Sequence, residues 1–108
     1  MANMYDIVIV GGGPGGYSAA LYAARAGVHV VVLEKQRIGG QAVQSENIEN
    51  YPGFDAGIDG LSLSEKMQRG AERFGAEMVT DEVRRVQLMQ PVKVLETTKQ
   101  TYQAPAVI

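Results

Sequence analysis

The run YDIVIVGGGPGGYSAALYAARAG, residues 5–27, decides the fold. Residues 5–10 are rich in β-branched side chains, which suit a strand buried on both faces of a parallel sheet. Positions 11–16 then hold five glycines and Pro14. Residues 17–26 (YSAALYAARA) are strong helix formers with small side chains, and Ala20, Leu21 and Ala24 recur at helical spacing. Gly27 follows where a helix C-cap needs a left-handed residue. Residues 28–33 (VHVVVL) predict a second buried strand, and Glu34 stands at its end. Strand, glycine turn, helix, glycine, strand and acid follow in that order, so a parallel pair joined by a crossover helix is expected.

Three glycines in Gly11-x-Gly13-x-x-Gly16 would mean little alone; between a strand and a helix, with an acid beyond, they read as a dinucleotide motif. Gly11 permits the tight turn out of the strand. Gly13 lets a pyrophosphate approach the backbone, and Gly16 lets the helix lie close to the strands. The helix N-terminus offers N–H groups and the positive end of its dipole to phosphates. Pro14 suits the first turn, where a missing N–H costs nothing. Glu34, 23 residues after Gly11, is placed to accept hydrogen bonds from the ribose hydroxyls. An acid there repels a 2′-phosphate and argues against NADP in this site; the motif alone leaves FAD and NAD both open.

Residues 35–60 read as a long, mostly irregular connection containing Pro52-Gly53 flanked by Tyr51 and Phe54. A loop of that length points to a ligand-facing segment, with room for a short helical turn inside it. Residues 61–74 predict a second helix with Leu63, Met67, Ala71 and Phe74 on its apolar stripe, ended by Gly75. Residues 76–79 predict a third parallel strand. Residues 83–89, 92–97 and 101–108 read as three short strands of an antiparallel meander, with turns at 90–91 and 98–100. The expected fold is α/β and Rossmann-like: a parallel β-α-β-α-β unit followed by an antiparallel β-meander, one domain over residues 1–108.

Composition narrows the function. With 45% hydrophobic and 20% charged residues, the chain has the means to bury a core. A net charge of -2 and the lack of a basic block give no footprint for nucleic acid. No apolar run is long enough for a membrane span, and a cytoplasmic location is expected. With no cysteine and one histidine, the chain has neither a thiol redox relay nor a zinc site of its own. His29, between two valines, is expected to be structural. No residue stands out as a catalytic acid, base or nucleophile, and Tyr17 and Tyr51 suit ligand stacking or core equally.

The runs at 5–27, VVVLEK (30–35), GGQ (39–41) and IENYPGF (48–54) resemble the FAD-binding part of the low-molecular-weight thioredoxin reductases. They are also similar to the flavoprotein subunit of alkyl hydroperoxide reductase and to the thioredoxin-reductase-like ferredoxin:NADP reductases. The resemblance covers essentially the whole chain. It implies that Gly11, Gly13, Pro14, Gly15 and Gly16 cradle the FAD pyrophosphate, with Glu34 on the adenosine ribose and Lys35 near the adenine. It implies further that the Val83 backbone meets the adenine edge, that Gly40 and Gln41 approach the ribityl chain and isoalloxazine, and that Asn50 contacts the flavin region. Two departures stand out: residues 42–46 (AVQSE) replace a threonine-rich run, and Gly15 replaces the commoner alanine.

The same resemblance implies a parent that passes a hydride from NAD(P)H to FAD and electrons onward to a disulfide or a redox partner protein. The NADPH domain, the redox cysteines and the last flavin-contacting segment lie outside these residues. A truncated piece, inactive by itself, is therefore expected. The alternative is a non-catalytic Rossmann module that binds FAD, ADP or AMP. An uncovered sheet edge leaves a homodimer open.

Overall fold

The computed structural model describes residues 3–35 and 46–108. In chain order the elements are β1 (Asn3–Met4), β2 (Ile7–Val10), α1 (Pro14–Arg25), β3 (Val30–Glu34), α2 (Gly60–Arg73), β4 (Glu77–Thr80), β5 (Val83–Gln87), β6 (Lys93–Thr97), β7 (Thr101–Ala104) and β8 (Ala106–Val107). They form two sheets. One is wholly parallel, in the order β4-β3-β2-β8; the other, in the order β1-β7-β6-β5, is antiparallel except for the β1–β7 pair. The Rossmann-like class expected from the sequence is therefore present, with its parallel unit and its meander.

Both helices end by the same device, which the sequence announces with a glycine. Gly27 (φ +83°) and Gly75 (φ +103°) turn left-handed one residue beyond the caps Ala26 and Phe74. Gly27 N–H donates to the Ala24 carbonyl and Val28 N–H to that of Ala23; Gly75 and Ala76 repeat the pattern on Glu72 and Ala71. These are Schellman closures, which satisfy carbonyls that a helix end otherwise leaves unpaired. At the start of α2, the Asp59 carboxylate accepts the Ser62 N–H at 2.9 Å, a side-chain N-cap.

The parallel sheet is buried on both faces, as its valine-rich strands require. Val30 and Val32 of β3, with Ile9 of β2, pack under the helices against Tyr17, Ala20, Ala24 and Ala71. Val31 and Leu33, with Val8, face the other way onto Leu95, Tyr102 and Ala104 of the mixed sheet. The period-two alternation of one five-residue strand thus joins two cores. Small residues in α1 and α2 let the two helices pack side by side over the first face.

Several expectations change. The run 101–108 is not one strand. It divides at Pro105, which has no N–H for a ladder, so that β7 stays in the mixed sheet and β8 joins β2 in the parallel one. The N-terminal chain makes the same crossing: β1 pairs with β7, and β2 with β8. The α1 helix starts at Pro14, which holds the first-turn position expected of it, three residues ahead of the helix-forming run at 17–26. Phe74 leaves the buried stripe because it is the C-cap; it is 44% exposed between the Arg25 and Arg73 guanidiniums, 5.6 and 5.5 Å from its ring centre. His29 lies before β3, not in it. It is exposed, its ring 4.3 Å from that of Tyr5, whose hydroxyl hydrogen-bonds Glu77. Burial first, and then this bond, push the Tyr5 phenol well above its usual range. Among the described residues no helix is long and apolar enough to cross a membrane.

Leu95 is fully buried where the mixed sheet covers the parallel one. Leu95→Ala is expected to cost about 2–5 kcal/mol, read as a lower urea midpoint with an unchanged slope.

Candidate dinucleotide site

The site is built where β2 ends and α1 begins. Gly11 has φ +105°, a conformation that side chains avoid, and its N–H donates to the Leu33 carbonyl at 2.8 Å. Gly16 is constrained by space instead: a Cβ there would sit 2.2 Å from the Gly11 carbonyl oxygen, which is backbone and cannot step aside. Gly13 is the N-cap of α1, with extended backbone and no side-chain cap bond, and Pro14 follows at the first helical position. No acid lies in the first turn of α1. A Cβ on Gly13 or on Gly15 would meet nothing within 4 Å. The uncapped positive end of the helix thus faces open space, and these residues fit a pyrophosphate.

Glu34 closes the turn from the second strand. Its Oε2 accepts the Gly12 N–H at 2.6 Å, a charge-assisted bond across 22 positions of sequence. A Cβ on Gly12 would come within 2.8 Å of the Tyr17 hydroxyl oxygen and 3.2 Å of that same Oε2. Gly12 is therefore a site residue that the three-glycine motif does not name; its only sequence signal is membership of the glycine run. Tyr17 is 2% exposed and belongs to the core beneath the turn rather than to a stacking surface.

Val10, Gly11, Leu33, Glu34, Lys35, Asp81, Glu82 and Val83 line one cavity of about 270 Å³. It brings together four residues proposed from the sequence: Gly11, Glu34, Lys35 and Val83. It also brings in Asp81, which sequence reasoning missed. Asp81 is 4% exposed. Its N–H donates to the Glu34 carbonyl at 2.9 Å, and its carboxylate accepts the Thr98 hydroxyl at 2.8 Å. The Thr97 hydroxyl lies 2.6 Å from the carboxylate and 2.7 Å from the Gln100 carbonyl, and the charged acceptor is the stronger draw. Burial pushes the Asp81 carboxyl up, but the Thr97 and Thr98 hydroxyls, the Glu82 N–H and nearby Lys99 outweigh it and hold the group below the usual range.

Asn50 does not join this cavity. It is exposed and lines a separate hollow of about 500 Å³ with Tyr51, Pro52 and Phe54. That segment is closed by an Ile48–Ile58 bridge and contains turns, with no helical turn among its described residues. Tyr51 is exposed at the rim, its ring centre 6.2 Å from that of Phe54. Gly40 and Gln41 lie outside the described residues. No cluster of three metal-ligating side chains occurs among the described residues.

The lowered Asp81 carboxyl fixes the sign of an acid effect. Its stabilisation is complete above the ordinary aspartate range and is lost as pH falls through the lower folded-state value. Asp59, lowered by the Ser62 N–H, adds to the same slope. Asp81→Asn is expected to lower stability at neutral pH by about 1–3 kcal/mol and to converge on the parent in acid. Urea unfolding as a function of pH checks both.

A family model described as pyridine nucleotide-disulphide oxidoreductase matches residues 5–108. The bifunctional thioredoxin reductase/thioredoxin of Mycobacterium leprae is 46% identical over 107 residues, 98% of this chain and 23% of that protein. The thioredoxin reductase of Peptoclostridium acidaminophilum is 44% identical over the whole chain and 34% of its own length. A solved thioredoxin reductase from Gloeobacter violaceus superposes with a TM-score of 0.93 at 35% identity, covering 97% of this chain and 33% of that one. A ferredoxin-flavin thioredoxin reductase from Clostridium acetobutylicum gives 0.84 at 30% identity, over 99% of this chain and 37% of that one. The chain thus spans between 23% and 34% of the two curated relatives. On the family match over residues 5–108 and these identities, the chain belongs to the pyridine nucleotide-disulphide oxidoreductases, in their thioredoxin-reductase branch.

Proposed function

We propose that this chain holds FAD by its adenosine and pyrophosphate half, as the flavin-binding region of an NAD(P)H-dependent oxidoreductase. The observation that carries the reading is the uncapped start of α1, open in front of Gly13, two residues after Gly11, which lines a cavity with Glu34 and Val83. The backbone of Gly11, Gly13, Gly15 and Gly16, with Pro14 shaping the first turn, would hold the pyrophosphate. Glu34, fixed by the Gly12 N–H, would hold the ribose hydroxyls. Lys35 and the Val83 backbone would flank the adenine, and Gly40, Gln41 and Asn50 would serve the flavin side. When bound, FAD supplies the redox chemistry, and the protein positions it.

The family description supplies a pyridine nucleotide, NAD(P)H, as the proposed donor, and the relatives' names supply a thioredoxin- or ferredoxin-type protein as the proposed partner. The second reading is a binding module without turnover, favoured by a cavity whose lining, Gly11, Glu34 and Val83 among it, comes wholly from this chain. Bleaching of the bound flavin by NADPH or NADH separates the two.

Calorimetric titration with FAD, ADP, NAD and FMN tests the site. FAD is expected to bind, ADP to keep much of the affinity, and FMN to bind weakly. Glu34→Ala is expected to weaken FAD and ADP alike by about 1–3 kcal/mol. Failure of all four to bind would overturn the reading for this chain. Gly13→Ala gives a second check: the ligand-free protein is expected to melt within a few degrees of the parent, because the Cβ meets nothing, while FAD affinity falls.

A further inference from the structure

The deepest polar cluster near the site belongs to a residue that no step of nucleotide holding has used. Asp81 sits at the corner between β4 and β5, immediately before Glu82 and Val83. Its backbone is tied to the parallel sheet through the Glu34 carbonyl at 2.9 Å. Its side chain is tied to the turn between β6 and β7, through Thr97 at 2.6 Å and Thr98 at 2.8 Å. The Thr98 N–H then donates to the Glu82 carbonyl at 3.1 Å, and the Lys99 ammonium to the Thr80 carbonyl at 2.8 Å. Four contacts therefore lock residues 80–82 onto one turn of the mixed sheet.

The corner needs such a lock. Val83 opens β5, the last strand in its sheet, and the ladder to β6 shifts register between Val83 and Arg85. A strand end beside a bulge on a sheet edge is poorly fixed by its own ladder. The fixing comes instead from the buried carboxylate, whose hydroxyl donors reach it from the neighbouring turn. A side chain so placed sets the position of the backbone that follows it.

We propose that Asp81 is the positioning residue for adenine selectivity: through Thr97 and Thr98 it sets the Val83 backbone that reads the edge of the base. The proposal rests on the nucleotide reading above. Adenine presents a donor at N6 and an acceptor at N1. Hypoxanthine inverts both, so a backbone held in one place accepts the first base and rejects the second.

The test is the ratio of ADP to inosine diphosphate affinity, by calorimetry, in the parent chain and in Asp81→Asn, Asp81→Ala and Thr98→Val. Thr98→Val removes one donor from a residue that does not line the cavity, and it serves where the Asp81 variants do not fold. The parent is expected to prefer ADP by about tenfold or more. The variants are expected to lose most of that preference, chiefly through weaker ADP binding. Equal losses for both nucleotides, or an unchanged ratio, would overturn the proposal and leave Asp81 a purely structural residue. A parent that binds ADP without preferring it would overturn it also, while leaving the nucleotide site standing. A parent that binds neither nucleotide would overturn this proposal, and would remove the nucleotide reading itself if FAD, NAD and FMN also fail to bind.

Discussion

Everything at the candidate site depends on how closely α1 approaches the end of β2. A Cβ at Gly16 would lie 2.2 Å from the Gly11 carbonyl oxygen, so the helix rests directly on the turn that launches it. Because it rests there, its N-terminus opens at the carboxyl edge of the parallel strands and not away from them. That edge is where open α/β sheets bind ligands. The second strand delivers Glu34 to the same edge, and the Gly12 N–H at 2.6 Å holds the carboxylate against the turn. One close contact thus brings a positive helix end and a fixed acid to the two halves of one site. In the proposed reading the phosphates of a nucleotide diphosphate would lie at the helix and its ribose at the acid.

The second wall of the site comes from the mixed sheet, which gives the meander a purpose beyond covering a core face. Leu95, Tyr102 and Ala104 bury the far side of β2 and β3. The same sheet supplies Val83 and, through Thr97 and Thr98, the pin on Asp81. Packing and site geometry are therefore linked. A change that slides the mixed sheet over the parallel one moves the Asp81–Val83 corner relative to Glu34. The crossing of β1 and β7 into β2 and β8 resists such sliding, because two adjacent chain segments pass between the sheets together.

The parallel unit was legible because its signals are local and agree with one another: β-branched runs, a glycine turn, small-residue helices and a glycine after each helix. Gly27 and Gly75 show this best, since both close their helices in the same bonding pattern. What was not legible depends on contacts far apart in sequence. Pro105 marks a break in a strand, but only the two-sheet packing shows that the halves belong to different sheets. Phe74 fits an apolar stripe by spacing, and its place at the cap turns it outward. Asp81 reads as an ordinary loop acid until Thr97 and Thr98, 16 and 17 residues on, come to meet it. Gly12 is lost among its neighbours because a motif counts glycines, whereas the structure counts the space taken by Tyr17 and Glu34.

The distribution of polar groups agrees with the role proposed for this chain. Its buried or fixed acids, Glu34 and Asp81, are spent on backbone N–H groups and hydroxyls that shape a binding surface. Asp81 is held below the ordinary range, the direction that keeps a carboxylate charged and structural rather than poised to move protons near neutrality. No cysteine is present to carry electrons. The proposed role, a grip on the end of a cofactor remote from the chemistry, calls for a site that is rigid and selective. The rigid turn at Gly11–Gly16 provides the first property, and the pinned corner at Asp81–Val83 is the part of the structure built to provide the second.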